Sequence, residues 1–106
     1  MSQWMDVASA ADVFDGAGLP VDAAGHDLAV FQVDGEFFAV DNPCSHGDAK
    51  LCDGFVEGHE VECPFHQGRF DLRTGQPTCA PATVPIRVWP VRVLDGRVQV
   101  DVGSGA

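Results

Sequence analysis

Two short stretches near the middle of the chain decide how it folds. Residues 41–47 read Asp-Asn-Pro-Cys-Ser-His-Gly, and residues 61–71 read Val-Glu-Cys-Pro-Phe-His-Gln-Gly-Arg-Phe-Asp. The order is C-x-H, then sixteen residues, then C-x-x-H. A lone cysteine or histidine usually serves packing, but two Cys/His pairs in glycine-containing loops indicate that all four side chains bind one metal centre. The candidate ligands are Cys44, His46, Cys63 and His66.

Two kinds of metal centre suit two thiolates and two imidazoles. Zinc takes four such ligands in a tetrahedral site, but zinc modules usually pair Cys with Cys and His with His. A 2Fe-2S cluster with two Cys on one iron and two His on the other accepts the alternating order, because the short steps let each loop reach both irons. The residues therefore favour the iron-sulfur cluster, and a structural zinc module remains the alternative.

The segments on either side of these loops predict β-hairpins. Asp34-Gly35 separates the β-rich runs 27–33 and 36–40, and Asp95-Gly96 precedes a strictly alternating run at 97–102. Asp-Gly between such runs is typical of a two-residue hairpin turn. The first hairpin is apolar on both faces, so we expect it to lie buried between layers. Because the apolar parity of the last hairpin shifts at Trp89-Pro90, we expect a bulge or an edge position at Pro90.

No helical period extends beyond one or two turns, so the predicted fold is all-β, a small antiparallel sandwich or barrel. Two short strands are predicted within the central segment, at 61–63 and 69–72. At 106 residues the chain suits a single domain, 1–106, in which residues 42–82 form cluster-binding loops inserted between the hairpins. A structureless segment of that length is unusual unless something besides a hydrophobic core organises it.

Composition narrows the location and the partners. The sequence has no apolar run near the 18 or so residues that span a bilayer and no signal-peptide pattern, so we expect a soluble cytoplasmic protein that does not bind membranes. Sixteen acids against six bases give a net charge of −10, which argues against nucleic acid as a partner. Residues 1–49 carry nine of the acids and no base. This asymmetry either serves solubility or forms a docking face for a basic partner.

On these motifs the chain resembles the Rieske iron-sulfur proteins, and among them the ferredoxins of bacterial aromatic-ring dioxygenases of the naphthalene and biphenyl kind. The resemblance covers nearly the whole chain and includes Thr74-Gly75 and Cys79-Ala80-Pro81. It implies the Rieske fold and a 2Fe-2S cluster with two cysteines on the inner iron and two histidines on the outer, redox-active iron. It also implies that residues 76–81 form a third loop over the cluster. The implied ligands are Cys44 and Cys63, then His46 and His66.

The resemblance further implies a monomeric one-electron carrier and not an enzyme. Its implied partners are an NAD(P)H-dependent flavoprotein ferredoxin reductase and a Rieske non-haem iron terminal oxygenase. A Rieske-like small subunit of a larger reductase, of the nitrite reductase type, remains the alternative. A self-contained oxygenase would need a second iron site, for which only His26 and His59 are left. The aromatic substrate belongs to the oxygenase and is not encoded in this chain.

Departures from the respiratory branch of the family bear on the redox potential. Ala49 and Phe65 occupy the positions where that branch has a loop-to-loop disulfide, and Gly68 and Phe70 replace a Ser and a Tyr. Those hydroxyls donate hydrogen bonds to sulfur and raise the potential. Since this chain lacks them and is acidic, we expect a midpoint toward the bottom of the Rieske range of roughly −150 to +300 mV.

Several further residues carry expectations of their own. We expect Cys52 and Cys79 to be small buried side chains, with a disulfide between them as the alternative. We expect His26 and His59 to be exposed to solvent. The bases near the loops either orient a partner or offset local acids, and they are Lys50, Arg69 and Arg73.

Overall fold

The computed structural model describes residues 2–43, 49–64, 68–79 and 84–103. Of the four candidate ligands, Cys63 lies within these residues, whereas Cys44, His46 and His66 lie outside them. The strands are β1 Trp4–Ser9, β2 Gly18–Ala23, β3 His26–Val33, β4 Glu36–Asp41, β5 Phe55–Glu57, β6 Glu60–Glu62, β7 Arg69–Asp71, β8 Pro77–Cys79, β9 Val88–Trp89, β10 Val91–Leu94 and β11 Arg97–Asp101. Short 3₁₀ helices span Ala10–Asp12 and Leu51–Asp53.

Within the described residues, the strands form three antiparallel sheets. Their orders are β1-β11-β10, β2-β3-β4-β9 and β5-β6-β7-β8. The prediction of an all-β antiparallel fold is confirmed, and so are the two short strands predicted in the central segment, which correspond to β6 and β7. None of the helices in the described ranges has the length and apolar character to cross a bilayer.

Both predicted hairpins form at their Asp-Gly turns. Asp34 and Gly35 have φ of 52° and 83°, and Asp95 and Gly96 have φ of 52° and 75°. Positive φ at both central residues is the type I′ pattern, whose twist matches that of paired strands. A third hairpin joins β2 to β3 at Ala24-Gly25. The sequence analysis did not predict this hairpin, because its turn has no Asp-Gly pair.

Strand β3 lies between two hydrophobic cores, as its apolar faces predicted. Leu28 and Val30 point into one, while Ala29 and Phe31 point into the other. The base core comprises Val13, Ala23, Leu28, Val30, Ala39, Trp89, Val98 and Val100. The loop-side core comprises Ala29, Phe31, Val33, Val40, Ala49, Leu51, Val61, Cys63, Phe70, Leu72 and Ile86. Because β3 is shared, it couples the loop-side core rigidly to the rest of the molecule.

The parity shift at Pro90 marks a change of sheet. Trp89 pairs with Ala39 of β4, whereas Val91 pairs with Val100 of β11. The strands that flank Pro90 are each at the edge of their sheet, which confirms the edge position rather than a bulge. The Pro90 carbonyl accepts a hydrogen bond from the Asp101 backbone N–H at 3.0 Å. Proline is tolerated here because a residue between two edge strands has no ladder bond to donate.

Candidate metal centre

The second Cys/His loop leaves the hairpin formed by β6 and β7. Val61 pairs with Phe70, and Glu62 pairs with Arg69. The backbone N–H of Cys63 then donates to the Gly68 carbonyl at 2.8 Å, which closes the base of the loop. The Cys63 side chain is fully buried in the loop-side core and is not part of a disulfide. A ligand thiolate at this position is shielded from water and fixed by the core beneath it.

The first Cys/His loop is closed at its base in the same manner. Pro43 and Lys50 form an isolated antiparallel bridge, and the Leu51 N–H donates to the Asn42 carbonyl at 2.7 Å. Ala49, at the end of this loop, is buried in the same loop-side core as Cys63. Both Cys/His loops therefore leave the fold from one core.

A polar network supports the first loop from the side of β3. Asn42 is 2% exposed, its Nδ2 donates to Asp27 Oδ1 at 3.0 Å, and its Oδ1 accepts from the Cys52 N–H at 2.9 Å. Lys50 Nζ donates to Asp27 Oδ2 at 2.5 Å. The Lys50 ammonium and the Asn42 amide together hold the pKa of Asp27 below its ordinary value. Sequence reasoning missed this network, for which the one available signal was the Asn immediately before the loop.

The three bases near the loops are all engaged with acids of the chain. Arg69 contacts Glu57 and Glu62 at 3.0 and 3.1 Å, and Glu60 lies 3.6 Å away. Arg73 contacts Asp71 through Nη2 at 3.1 Å, and Lys50 contacts Asp27. Of the two sequence-based interpretations, the structure supports the offset of local acids.

The acidic residue just before the first Cys/His loop, Asp41, is bonded within the fold. Asp41 Oδ1 accepts a hydrogen bond from Trp89 Nε1 at 2.8 Å, so its carboxylate serves the packing of β4 against β9. Asp48 lies outside the described residues. A docking role for residues 1–49 stays a prediction.

The expectation that His26 and His59 are exposed is wrong. His26 is half-buried, with its ring centroid 4.7 Å from that of Trp89. His59 is half-buried against Phe38 at a centroid distance of 5.7 Å. Both histidines sit next to turns, but long-range aromatic contacts cover them, and such contacts leave no trace in the local sequence.

The two cysteines outside the candidate ligand set are Cys52 and Cys79. Cys52 is a half-buried free thiol rather than a fully buried one, and burial raises the pKa of that thiol. The side chain of Cys79 lies outside the described part of the chain.

The described parts of the site fit a cluster that is held by two loops. Cys63 offers a buried thiol at the foot of one loop, and Ala49 anchors the other loop to the same core. The expected donor set of two sulfurs and two imidazole nitrogens matches a Rieske-type cluster. Within the described ranges, no three Cys, His, Asp or Glu side chains gather into a metal site of their own.

Comparison with known proteins decides the family. The pattern of Rieske [2Fe-2S] domains matches residues 3–90. The chain belongs to the Rieske [2Fe-2S] domain family. Its cofactor is accordingly a Rieske-type 2Fe-2S cluster, and the zinc module is set aside.

Among individual Rieske proteins, the chain is similar to the ferredoxin component of the naphthalene 1,2-dioxygenase system of Pseudomonas putida. The two sequences are 44% identical over 100 residues, and the match covers 94% of this chain and 96% of the relative. Its structure is similar to a chain in the complex of reduced oxygenase and oxidized ferredoxin in carbazole 1,9a-dioxygenase, with a TM-score of 0.86, 40% identity and 92% coverage of both chains. It is also similar to a nitrite reductase small subunit from Mycobacterium tuberculosis, with a TM-score of 0.86, 28% identity and coverage of 95% and 96%.

Proposed function

We propose that this Rieske protein is the electron-carrying ferredoxin of a dioxygenase system that attacks aromatic compounds. The observation that carries the proposal is the 44% identity to the naphthalene dioxygenase ferredoxin component across 94% of the chain. The similarity to the nitrite reductase small subunit is lower in identity, at 28%, so a free carrier is favoured over a reductase subunit. The protein acts as a carrier between enzymes and is not itself an enzyme.

The proposed ligands are Cys44 and Cys63 for one iron and His46 and His66 for the other. They lie in a cluster-binding segment, residues 42–82, of a single domain that spans residues 1–106. When bound, a Rieske cluster accepts and releases one electron at a time. The ligand set is supported by the spacing of the four residues and by the burial of the Cys63 thiol at the foot of its loop.

The residues around the loops supply rigidity. The Cys63–Gly68 hydrogen bond and the Pro43–Lys50 bridge fix both loop bases, so little reorganisation of the chain accompanies a change of charge at the site. Arg69 on β7 forms ion pairs with Glu57 of β5 and with Glu60 and Glu62 of β6, which ties these three strands together. No bond in a substrate needs to form or break here, because the substrate chemistry belongs to the oxygenase.

The proposed partners are an NAD(P)H-dependent flavoprotein ferredoxin reductase and a Rieske non-haem iron terminal oxygenase, and the proposed location is the cytoplasm, where NAD(P)H is available. The carrier is proposed to act as a monomer. A freely diffusing monomer can visit both partners in turn, which a fixed subunit of a larger reductase cannot do.

The proposal is tested with purified cluster-loaded protein, a ferredoxin reductase, NADH and the oxygenase component of a naphthalene-type system. The expected result is that the oxygenase turns over many times for each molecule of this protein added. A Cys63→Ala variant is the control, because it removes a proposed ligand without changing the surface. Purification as a tight complex with a larger reductase, or failure to reduce the oxygenase when the cluster is loaded, would overturn the carrier function.

A further inference from the structure

Asn42, two residues before Cys44, has all of its polar groups occupied. Its backbone N–H donates to the Asp27 carbonyl at 3.0 Å, and its carbonyl accepts from the Leu51 N–H at 2.7 Å. Its side-chain Oδ1 accepts from the Cys52 N–H at 2.9 Å, and Nδ2 donates to Asp27 Oδ1 at 3.0 Å. A residue that is 2% exposed and makes these four hydrogen bonds is fixed in one orientation.

Two of the three residues that bond to Asn42 lie just after the first Cys/His loop. Leu51 and Cys52 follow that loop directly, so Asn42 joins the entrance of the loop to its exit. Asp27 reaches both ends, because Oδ1 accepts from Asn42 at the entrance and Oδ2 accepts from Lys50 at the exit.

Asp27 is a suitable anchor because its strand is rigid. The next residue along β3, Leu28, is fully buried in the base core and pairs with Asp41 of β4. The backbone at Asp27 is thereby held in place by the base core. The Asn42 side of this junction resists opening, because a broken bond would leave a polar group of the buried Asn42 unsatisfied and out of water.

We propose that the Asn42–Asp27 pair is a positioning device that holds Cys44 and His46 in register for the cluster. This inference rests on the proposed ligand set. The pair touches no ligand side chain in the described residues and acts through the backbone of the loop base. Partners that hydrogen-bond directly to metal ligands typically change metal affinity by about tenfold to a hundredfold when they are removed, so a pair that acts through the backbone is expected at the lower end.

The test exchanges the two side chains in the cluster-loaded protein. Asn42→Asp sets two carboxylates against each other, whereas the double variant Asp27→Asn with Asn42→Asp restores one amide donor and one carboxylate acceptor in the opposite direction. Cluster loss to a ferrous-iron chelator is expected to be about tenfold faster in Asn42→Asp than in the wild type. Most of this acceleration is expected to disappear in the double variant, which would show that the two residues are coupled. The rhombic EPR signal of the reduced protein should broaden in the single variant and sharpen again in the double variant.

Asp101→Asn is the matched control in another sheet. Asp101 is 3% exposed, and its Oδ1 accepts from the Gln3 N–H at 2.8 Å and from the Gly103 N–H at 2.9 Å. This variant should lower the melting temperature and leave both the rate of cluster loss and the EPR line shape unchanged. If Asn42→Asp gives no folded protein, Asp27→Asn alone replaces it, because that side chain is 43% exposed and the substitution is milder.

Three results would each overturn the positioning role. The first is that Asn42→Asp and Asp27→Asn both lose the cluster at the wild-type rate. The second is that the double variant loses it as fast as Asn42→Asp, and the third is that Asp101→Asn accelerates cluster loss as much as Asn42→Asp does. A wild-type protein that lacks a rhombic signal of low average g would instead refute the ligand set, and with it the proposed function. The two failures are therefore distinguishable.

Discussion

Gly75 offers a sharp test of how the β5-β6-β7-β8 sheet is joined to the rest of the fold. It follows β7 with φ of +79°, and its N–H donates to the Asp71 carbonyl at 2.7 Å. Its own carbonyl accepts from the Ile86 N–H at 2.9 Å, just before β9. A Cβ added at Gly75 would lie 2.0 Å from the Ile86 carbonyl oxygen, so Gly75→Ala must push the two segments apart.

The size of the effect follows from two contributions. A left-handed conformation costs a non-glycine residue about 1 kcal/mol. Separation from Ile86 removes a buried backbone hydrogen bond, which costs about 1–3 kcal/mol. Together they amount to about 3 kcal/mol, a large share of the 5–15 kcal/mol or so that stabilises a typical domain. At roughly 4–8 °C per kcal/mol, the melting temperature of Gly75→Ala should fall by about 12–24 °C.

Gly96→Ala separates the two contributions. Gly96 has φ of +75°, but among the described residues other than Gly96 and its two neighbours no atom lies within 4 Å of an added Cβ, so this variant carries the conformational cost alone. Both variants are compared with the wild type by circular dichroism of the cluster-loaded protein at one scan rate. Equal losses in the two variants would refute the close approach of Gly75 to Ile86.

Three further outcomes are expected. Cys63→Ala should abolish the visible absorption of the cluster while the far-ultraviolet spectrum remains that of a β protein, and a variant that keeps the absorption would remove Cys63 from the ligand set. The Arg73 guanidinium lowers the pKa of Asp71 below its ordinary value of 3.8, so the stabilisation by this pair is present above pH 3.8 and is lost as pH falls through the lower folded-state pKa. The difference in melting temperature between wild type and Arg73→Met should therefore vanish in strong acid, and a constant difference down to pH 2 or so would contradict the shift. A redox titration should place the midpoint below about +100 mV, since Gly68 and Phe70 offer no hydroxyl to the cluster, and a higher value would contradict that reasoning.

Local patterns in the sequence determined much of the fold. Asp34-Gly35 and Asp95-Gly96 predicted two hairpins because positive φ at consecutive residues is a local property of the chain. The double apolar faces of β3 predicted its position between two cores, because side-chain direction alternates along any strand. The C-x-H and C-x-x-H spacing predicted a shared metal centre, because ligand reach is set by a few bonds of backbone.

Only the tertiary structure decided how those parts meet. It placed Pro90 between two sheets, brought Gly75 against Ile86, and set Asn42 against Asp27, fifteen residues earlier in the chain. It also covered His26 with Trp89, where the sequence suggested exposure. Each of these arrangements brings together separate segments of the chain and has no period or spacing within the sequence. They are fixed by which strands pair and in which register, and that choice depends on the burial of apolar surface across the whole fold.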